Sequence, residues 1–423
     1  MSHIVFVDLS FFGMKAVLYA KRYNARVTLI RSDKFCEVYD IPEHKDIMNM
    51  IDNIVTIKDP SNIGELRDAM TIINNGHKVD CAISFHEFSL LSLSSVCEEL
   101  GILSTKSIGV WNSKDKSKTR RILSESGIRN IRSHVVTSPA DVLELVDEIK
   151  YPFVLKPANG VGSSLVRVIK NESELFSFFE NSLEEYNNIN QAYRSDVDIT
   201  KMLMEEYISG ELYSVEIAMR GNEFYRLMVS ERKRDNVNEA IELGTTMPAN
   251  LSAEMMGKCF GYVEDILRAV DLGIGIFHVE IIICNNEPVL VEINPRIMGA
   301  SLPTLYEKAT GNNLYDLLVR IFLGKKINLQ THKIPRYVTS RVICPVTDAI
   351  ISESLSDDWI DLVEKNSVEY RIKILPGERV YKTVSNFQSL GYFQVSGPDY
   401  KSSRTMADKM VGDISRMIGI KLL

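Results

Sequence analysis

The chain has 423 residues, 45% hydrophobic and 25% charged, with a formal net charge of −7. That length can bury roughly two to four cores, and the composition is that of a folded globular protein rather than a disordered or fibrous one. The acidic balance argues against nucleic acid or an anionic membrane as the main partner, and no stretch reaches the roughly 18 apolar residues of a membrane span.

Residues 1–110 alternate short apolar runs, HIVFVDL, ARVTLIRS, NIVTI and DCAISF, with helical stretches such as GMKAVLYAKRY and IGELRDAMTIINNG. This alternation predicts a parallel α/β unit. The opening MSHIVFVDLS has no basic n-region, so it is not read as a signal peptide. Only Gly13 follows the first strand, which argues against a G-x-G-x-x-G dinucleotide loop. His86-Glu87 then lies at the carboxyl end of DCAISF, where open α/β sheets bind ligands, so Glu87 is a candidate substrate contact. The same glutamate opens the helical run SLLSLSSVCEELGI, where the helix dipole favours an acid. His86 is read as structural. The six cysteines include no C-x-x-C pair and several lie in apolar runs, which reads as buried free thiols of a cytoplasmic protein.

WNSKDKSKTRRILSESGI, Trp111 to Ile128, predicts a basic helix opening a second unit. YPFVLKPANGVGSSLVRVI follows, two strands around a loop containing Gly160, Gly162, Ser163 and Ser164. Small residues let backbone N–H groups approach phosphate oxygens, and hydroxyls add donors. Lys156, on the strand before the loop, would reach the same phosphates as a point charge. Asn171-x-x-Glu174 is a capping-box start for the helix ESELFSFFENSLEEY. KMLMEEYISGELYSVEIAMRG reads as strand, turn, strand. The polar segment 231–251, ERKRDNVNEAIELGTTMPANL, is expected as a loop over the site, and Ser252 to Asp271 as an amphipathic helix ended by Gly273.

HVEIIIC and PVLVEIN are two β runs joined by the turn-forming Asn285-Asn286. Glu280 and Glu292 sit on these paired strands, and Asn294, two residues after Glu292, shares its face. Burying carboxylates beside Val and Ile is costly unless a cation joins them. Three hard oxygen ligands in one place suit Mg²⁺, which usually shares its sphere with nucleotide phosphates. Arg296 follows at the same spacing, suited to charge on a phosphoryl group in flight. From about Lys326 the chain turns β-rich (RYVTSRVICPV, VEYRIKILPGERV, GYFQVSGP) and closes on the helix RTMADKMVGDISRMI, with no spacing there that implies chemistry.

These motifs together resemble the ATP-grasp superfamily of carboxylate–amine ligases. H-x-E followed by E-I-N-P-R-x-x-G is similar to its metal-binding segment, and ATGNNLYDLL, Ala309 to Leu318, to the helix start that follows it. D-K-x-x-x-R-x-x-L-x-x-x-G resembles the entry to the fold, and Lys156-Pro157 with the glycine loop resembles the second lysine and mobile phosphate loop. The resemblance implies an α/β and α+β architecture, the ATP-grasp fold. Residues 1–110 would form an N-terminal parallel α/β (pre-ATP-grasp) domain and 111–325 the ATP-grasp domain, with a small lobe about 111–205 and a large lobe about 206–325. Residues 326–423 would be a β-rich C-terminal extension.

ATP would lie between the lobes, with Lys116 and Lys156 on its phosphates. Glu205, Glu206, Tyr207 and Ile208 would form the hinge gripping adenine, largely through backbone groups. The ribose-contacting glutamate of the family falls at Leu212 here, with Glu211 one position early, while Ser214, Val215 and Glu216 keep the pattern. Glu280, Glu292 and Asn294 would hold Mg²⁺, or Mn²⁺ in its place, and Arg296 would steady the phosphoryl group or the tetrahedral oxyanion. The E-x-G-H-x-x-P element keeps Glu242, Gly244 and Pro248, and Glu242 and Gly299 join Glu87 as substrate contacts. Leu165, for a third glycine, and Thr245, for a histidine, are further departures.

LPGERV and GYFQVSGP are similar to the C-terminal extension of L-amino-acid ligases. The resemblance thus implies a ligase that joins amino acids, or amino-acid-like acids, to amines through an acylphosphate. ADP and phosphate would be released. A biotin-carboxylase-like or purine-pathway enzyme is the alternative, as is an ATP-binding regulatory or scaffold protein without turnover. The implied partners are small-molecule carboxylates and amines, not nucleic acid or membrane, with a homodimer left open.

Overall fold

In the first strand, β1 (His3–Val7), Ile4 to Val7 are all apolar because both faces are covered. It lies in a four-stranded parallel sheet with β2 (Arg26–Ser32), β3 (Asn53–Ile57) and β4 (Cys81–Ser84), in the order β3-β2-β1-β4. Val5 and Val7 pack on helices Ile63–Gly76 and Glu87–Leu100, close by in sequence. Ile4 and Phe6 face the other way, into a core shared with helices Lys15–Arg22, Leu302–Thr310 and Leu314–Phe322. This computed structural model describes residues 1–423 except 161, 190–193, 195–196, 331–335 and 387, and for 34–36, which include Cys36, the backbone alone.

A small antiparallel sheet follows, ordered β5-β8-β6-β7, from β5 (Ser133–Val136), β6 (Phe153–Pro157), β7 (Arg167–Ile169) and β8 (Met202–Glu206). Its core side carries Phe153, Leu155, Met202 and Met204 against helices Pro139–Leu145 and Glu172–Asn188. Asn171 caps the second helix by accepting from the Glu174 N–H, as its spacing predicts.

The third sheet has eight strands, ordered β13-β12-β9-β10-β11-β14-β18-β16. These are β9 (Glu211–Arg220), β10 (Glu223–Arg234), β11 (Glu242–Met247), β12 (Ile274–Cys284), β13 (Glu287–Asn294), β14 (Tyr337–Val342), β16 (Glu369–Ile372) and β18 (Gly391–Gly397), and β15 (Ala349–Ile350) pairs separately with β17 (Arg379–Val380). Helix Ala253–Val270, capped by Ser252, lays Val263, Ile266 and Leu267 on Val215, Ile217, Val279 and Ile281. The β-rich tail continues this sheet, since β14 pairs with β11 and β18 with β14.

Two expectations change. The polar segment 231–251 is strand, connection, strand, because β10 runs to Arg234 and β11 begins at Glu242. Its charges have partners inside the fold: Glu231 accepts from Tyr400, and Lys233 pairs with Asp408 at 2.8 Å. Polarity there therefore does not signal a solvated loop. The basic stretch 111–128 is two helices, Ser107–Lys114 and Lys116–Glu125, broken at Asp115. The Asp115 carboxylate caps the second helix by accepting from the Ser117 and Lys118 N–H groups, so Lys116 is the first residue of a helix.

Candidate active site

The β12–β13 hairpin turns on Asn285 and Asn286, both left-handed at φ +53° and +60°. Its register sets Glu280 opposite Glu292 and His278 opposite Asn294. A bulge follows, and Ile281 pairs with Leu290. The extra residue, Val291, lets Leu290 enter the core while Glu292, two residues on, faces a cavity. An unbulged strand would put both on one face.

Two cavities meet at this hairpin. The smaller, about 160 Å³, has apolar walls from Val154, Val168, Leu212 and Ile282, with Glu205, Glu206, Tyr207 and Ile208 along its edge. The larger, about 480 Å³, is lined by Glu87, Arg232, Thr245, Asn294, Arg296 and Gly299 among others. Lys116, Gly160, Gly162, Ser163, Glu242, Glu280 and Glu292 line both, so the seam between them brings a lysine, a glycine–serine loop and three glutamates together.

At the seam, the Lys116 ammonium lies 3.2 Å from Glu292 Oε2, and Asn294 Nδ2 donates to Glu292 Oε1 at 3.3 Å. Burial opposes the Lys116 charge, but Glu292, Glu87 and Glu205 raise its pKa. His278 bridges two carboxylates, 2.6 Å from Glu216 and 3.2 Å from Glu280. Burial would lower its pKa; the two acids overcome this and raise it to about 9. Glu280, against its own burial, is held down to about 2 by His278, Arg232 and Lys116.

Below the smaller cavity is a buried triad. Glu205 takes Arg120 Nε on one oxygen at 2.7 Å and Lys156 Nζ on the other at 2.6 Å. Burial would raise the Glu205 pKa, yet the two cations bring it down to about 2. Lys156 must share that single carboxylate with Arg120, so its own burial prevails and lowers its pKa. In the loop above, Gly162, Ser163 and Leu165 all have positive φ, so Leu165, at the departure from a third glycine, holds a backbone conformation glycine would take freely.

Residues 149–304 match the ATP-grasp domain family. The chain carries an ATP-grasp domain. A curated relative, the uncharacterized protein y4rH of Sinorhizobium fredii, is 23% identical over 361 residues, covering 84% of this chain and 72% of that protein. Among solved structures, an L-amino acid ligase from Bacillus licheniformis superposes with a TM-score of 0.77 at 16% identity, covering 100% of this chain and 98% of that one. An N5-carboxyaminoimidazole synthetase from Staphylococcus aureus, complexed with ADP, gives 0.71 at 15% identity and 97% of both chains. A phosphoribosylglycinamide synthetase from Anaerococcus prevotii gives 0.69 at 16%, covering 100% and 99%. These likenesses are of fold.

Within this ATP-grasp fold, most of the residues singled out from the sequence gather at the two cavities. Lys116, Gly160, Gly162, Ser163, Glu242, Glu280 and Glu292 are at the seam; Lys156, Ser164 and Glu205 to Ile208 line the smaller cavity; Glu87, Asn294, Arg296 and Gly299 line the larger. Arg296 donates from Nη2 to Glu87 at 3.2 Å and from Nη1 to the Ile297 carbonyl at 3.0 Å. Two line neither cavity. Glu211 is exposed at the start of β9 and Leu212, its neighbour, takes the cavity wall, since one residue's shift reverses the face. Glu216 is fully buried behind His278, as the partner of that imidazole.

Other residues at the site carried no assignment in the sequence. Arg120 lies one helical turn from Lys116, a spacing present in D-K-x-x-x-R but not interpretable without Glu205. Asn386 comes from the tail, where no spacing implied chemistry. Its Nδ2 donates to Ser163 Oγ at 3.1 Å and to the Ala240 carbonyl at 3.2 Å, while its Oδ1 accepts from the Glu242 N–H. Gly244 is required by packing: a Cβ there would lie 2.1 Å from the Ser340 carbonyl.

Proposed function

We propose that this protein is an ATP-dependent carboxylate–amine ligase that joins an amino acid, or an amino-acid-like acid, to an amine. The observation that carries the reading is the seam: an apolar slot and a larger cavity share one wall, made of a lysine, a glycine–serine loop and facing glutamates. ATP would enter the smaller cavity, its adenine against Val154, Leu212 and Ile282, and its phosphates would reach the seam. The acid's carboxylate would approach from the larger cavity and attack the γ-phosphorus, giving an acylphosphate and ADP. The amine would then attack the acyl carbon, and phosphate would leave with formation of the amide.

Glu280, Glu292 and the Asn294 carbonyl oxygen offer hard oxygen donors only, which fits Mg²⁺, or Mn²⁺ in its place. Among the described residues no three His, Cys, Asp or Glu side chains form a metal cage by themselves. The metal, when bound, supplies neutralisation of phosphate charge. Lys116 and Lys156 hold the phosphates, and Glu205 keeps Lys156 in place. Arg296, now fastened to Glu87, would turn its fork to the oxyanion of the reacting acid. We further propose that residues 1–110, 111–325 and 326–423 are the units of the enzyme, with Asn386 bringing the last of these to the phosphate loop.

The test is product analysis over paired amino acids with Mg·ATP. ADP and orthophosphate should appear only when a competent acid and amine are both present. AMP with pyrophosphate would end the reading, and ADP formed in response to bicarbonate without an amine would reassign the protein to a carboxylating reaction.

A further inference from the structure

The run Glu231-Arg232-Lys233-Arg234 at the end of β10 divides by strand parity. Glu231 and Lys233 are engaged with helix Tyr400–Ile418, through Tyr400 and Asp408. Arg232 points the other way and lines the larger cavity. It is only 8% exposed, in a sheet interior where a guanidinium is costly without compensation. Glu280, Glu216 and Glu292 add opposite charge around it, but its hydrogen bonding is incomplete. Arg232 pairs with Glu242 and donates from Nη1 to Ser214 Oγ at 3.3 Å, but its buried Nε–H has no hydrogen-bond partner among the described residues. Its ladder partner across the sheet is Thr245, which also lines the cavity and carries no charge.

Arg296 has the same relation to the larger cavity: a guanidinium with one acid partner, Glu87, beside the Glu280–Glu292 seam. A fork-shaped donor set matches a carboxylate bidentately. Resting on the ligase reading, we propose that Arg232 is a catalytic residue that binds the carboxylate of the acid substrate beside the seam, exchanging Glu242 for that carboxylate. The cation comes from β10, across the ladder from the position where the resemblance to the wider family would have put an imidazole. Glu242 holds the guanidinium until the acid arrives, and its place on the wall of both cavities leaves it facing open space once released.

The test uses Arg232→Met and the double variant Arg232→Met/Glu242→Gln, which removes the pair without leaving the glutamate buried alone. Mg·ADP affinity is measured by calorimetry, and the Mg·ADP-loaded proteins are then titrated with single L-amino acids and, separately, with orthovanadate as a stand-in for the phosphoryl group. The expected result, read on protein saturated with Mg·ADP, is a loss of about tenfold or more in amino-acid affinity in both variants, the size of one charge-assisted contact. Vanadate affinity should be kept. Amino-acid binding unchanged in the double variant would overturn the assignment and leave the ligase reading standing, as would a loss confined to vanadate. A wild type that takes Mg·ADP but no amino acid overturns it too, and a wild type that takes no Mg·ADP ends the ligase reading itself.

Discussion

Glu205→Gln is a sharp test of how Lys156, proposed to bind phosphate, is held. The change keeps the side chain's volume but leaves Arg120 and Lys156, both nearly fully buried, without their anion. Lys156, whose pKa burial already lowers, can shed its proton in response. Removing one partner of a buried pair costs about 3–5 kcal/mol. Linkage gives a consistent figure: a carboxyl held at about 2 against an ordinary 4.5 corresponds to about 3 kcal/mol. Because this pKa is depressed in the folded state, the contribution is fully present above about pH 4.5 and fades as pH falls towards 2. Urea denaturation of wild type and variant at pH 7 should therefore differ by about 3–5 kcal/mol, and the gap should narrow as the pH is lowered through that window. Mg·ATP, whose phosphates offer Lys156 a new anion, should stabilise the variant more than the wild type. A difference below about 1 kcal/mol, within the range of an exposed pair, would refute the triad's role, as would a gap that does not shrink in acid.

Two further variants address the seam. Arg296→Lys should lower kcat by on the order of 10²-fold or more with nucleotide affinity mostly kept, because lysine lacks the fork that spans two oxygens. Single-turnover amide formation and melting temperature on one preparation check this; an unchanged rate with a lower melting temperature would reduce Arg296 to an anchor for Glu87. Glu292→Gln removes a charged oxygen from the facing pair, so Mg²⁺-dependent turnover should fall steeply while metal-free ATP binding changes little. Near-normal rates at saturating Mg²⁺ would make Glu292 a strand residue that merely pairs with Lys116.

The local grammar of this protein is legible in its sequence. The alternation of β1 to β4 with helices, the Asn285-Asn286 turn, the Asn171 and Ser252 caps and the two glutamates on paired strands all follow from short-range periodicity and turn chemistry. Each needs only neighbours a few residues away.

What partners a face is another matter, because a period says which side chains share a side and not what covers them. Val5 and Ile4 read alike in the sequence, yet one joins a core with helix Ile63–Gly76 and the other a core shared with helices Lys15–Arg22 and Leu314–Phe322. The polar segment at 231 looks solvated until Tyr400 and Asp408 arrive from the last helix. Glu211 and Leu212 exchange roles through a single step of parity, and Glu216 is claimed by His278 across the ladder from it. Val291's bulge, one unpaired residue, decides that Glu292 faces Lys116 rather than the core, and Asn386 joins the site only because β14 and β18 extend the central sheet. A sequence records its own charges and periods, whereas pairing of strands far apart in the chain is chosen by which faces must be buried together and which buried charges must find an opposite.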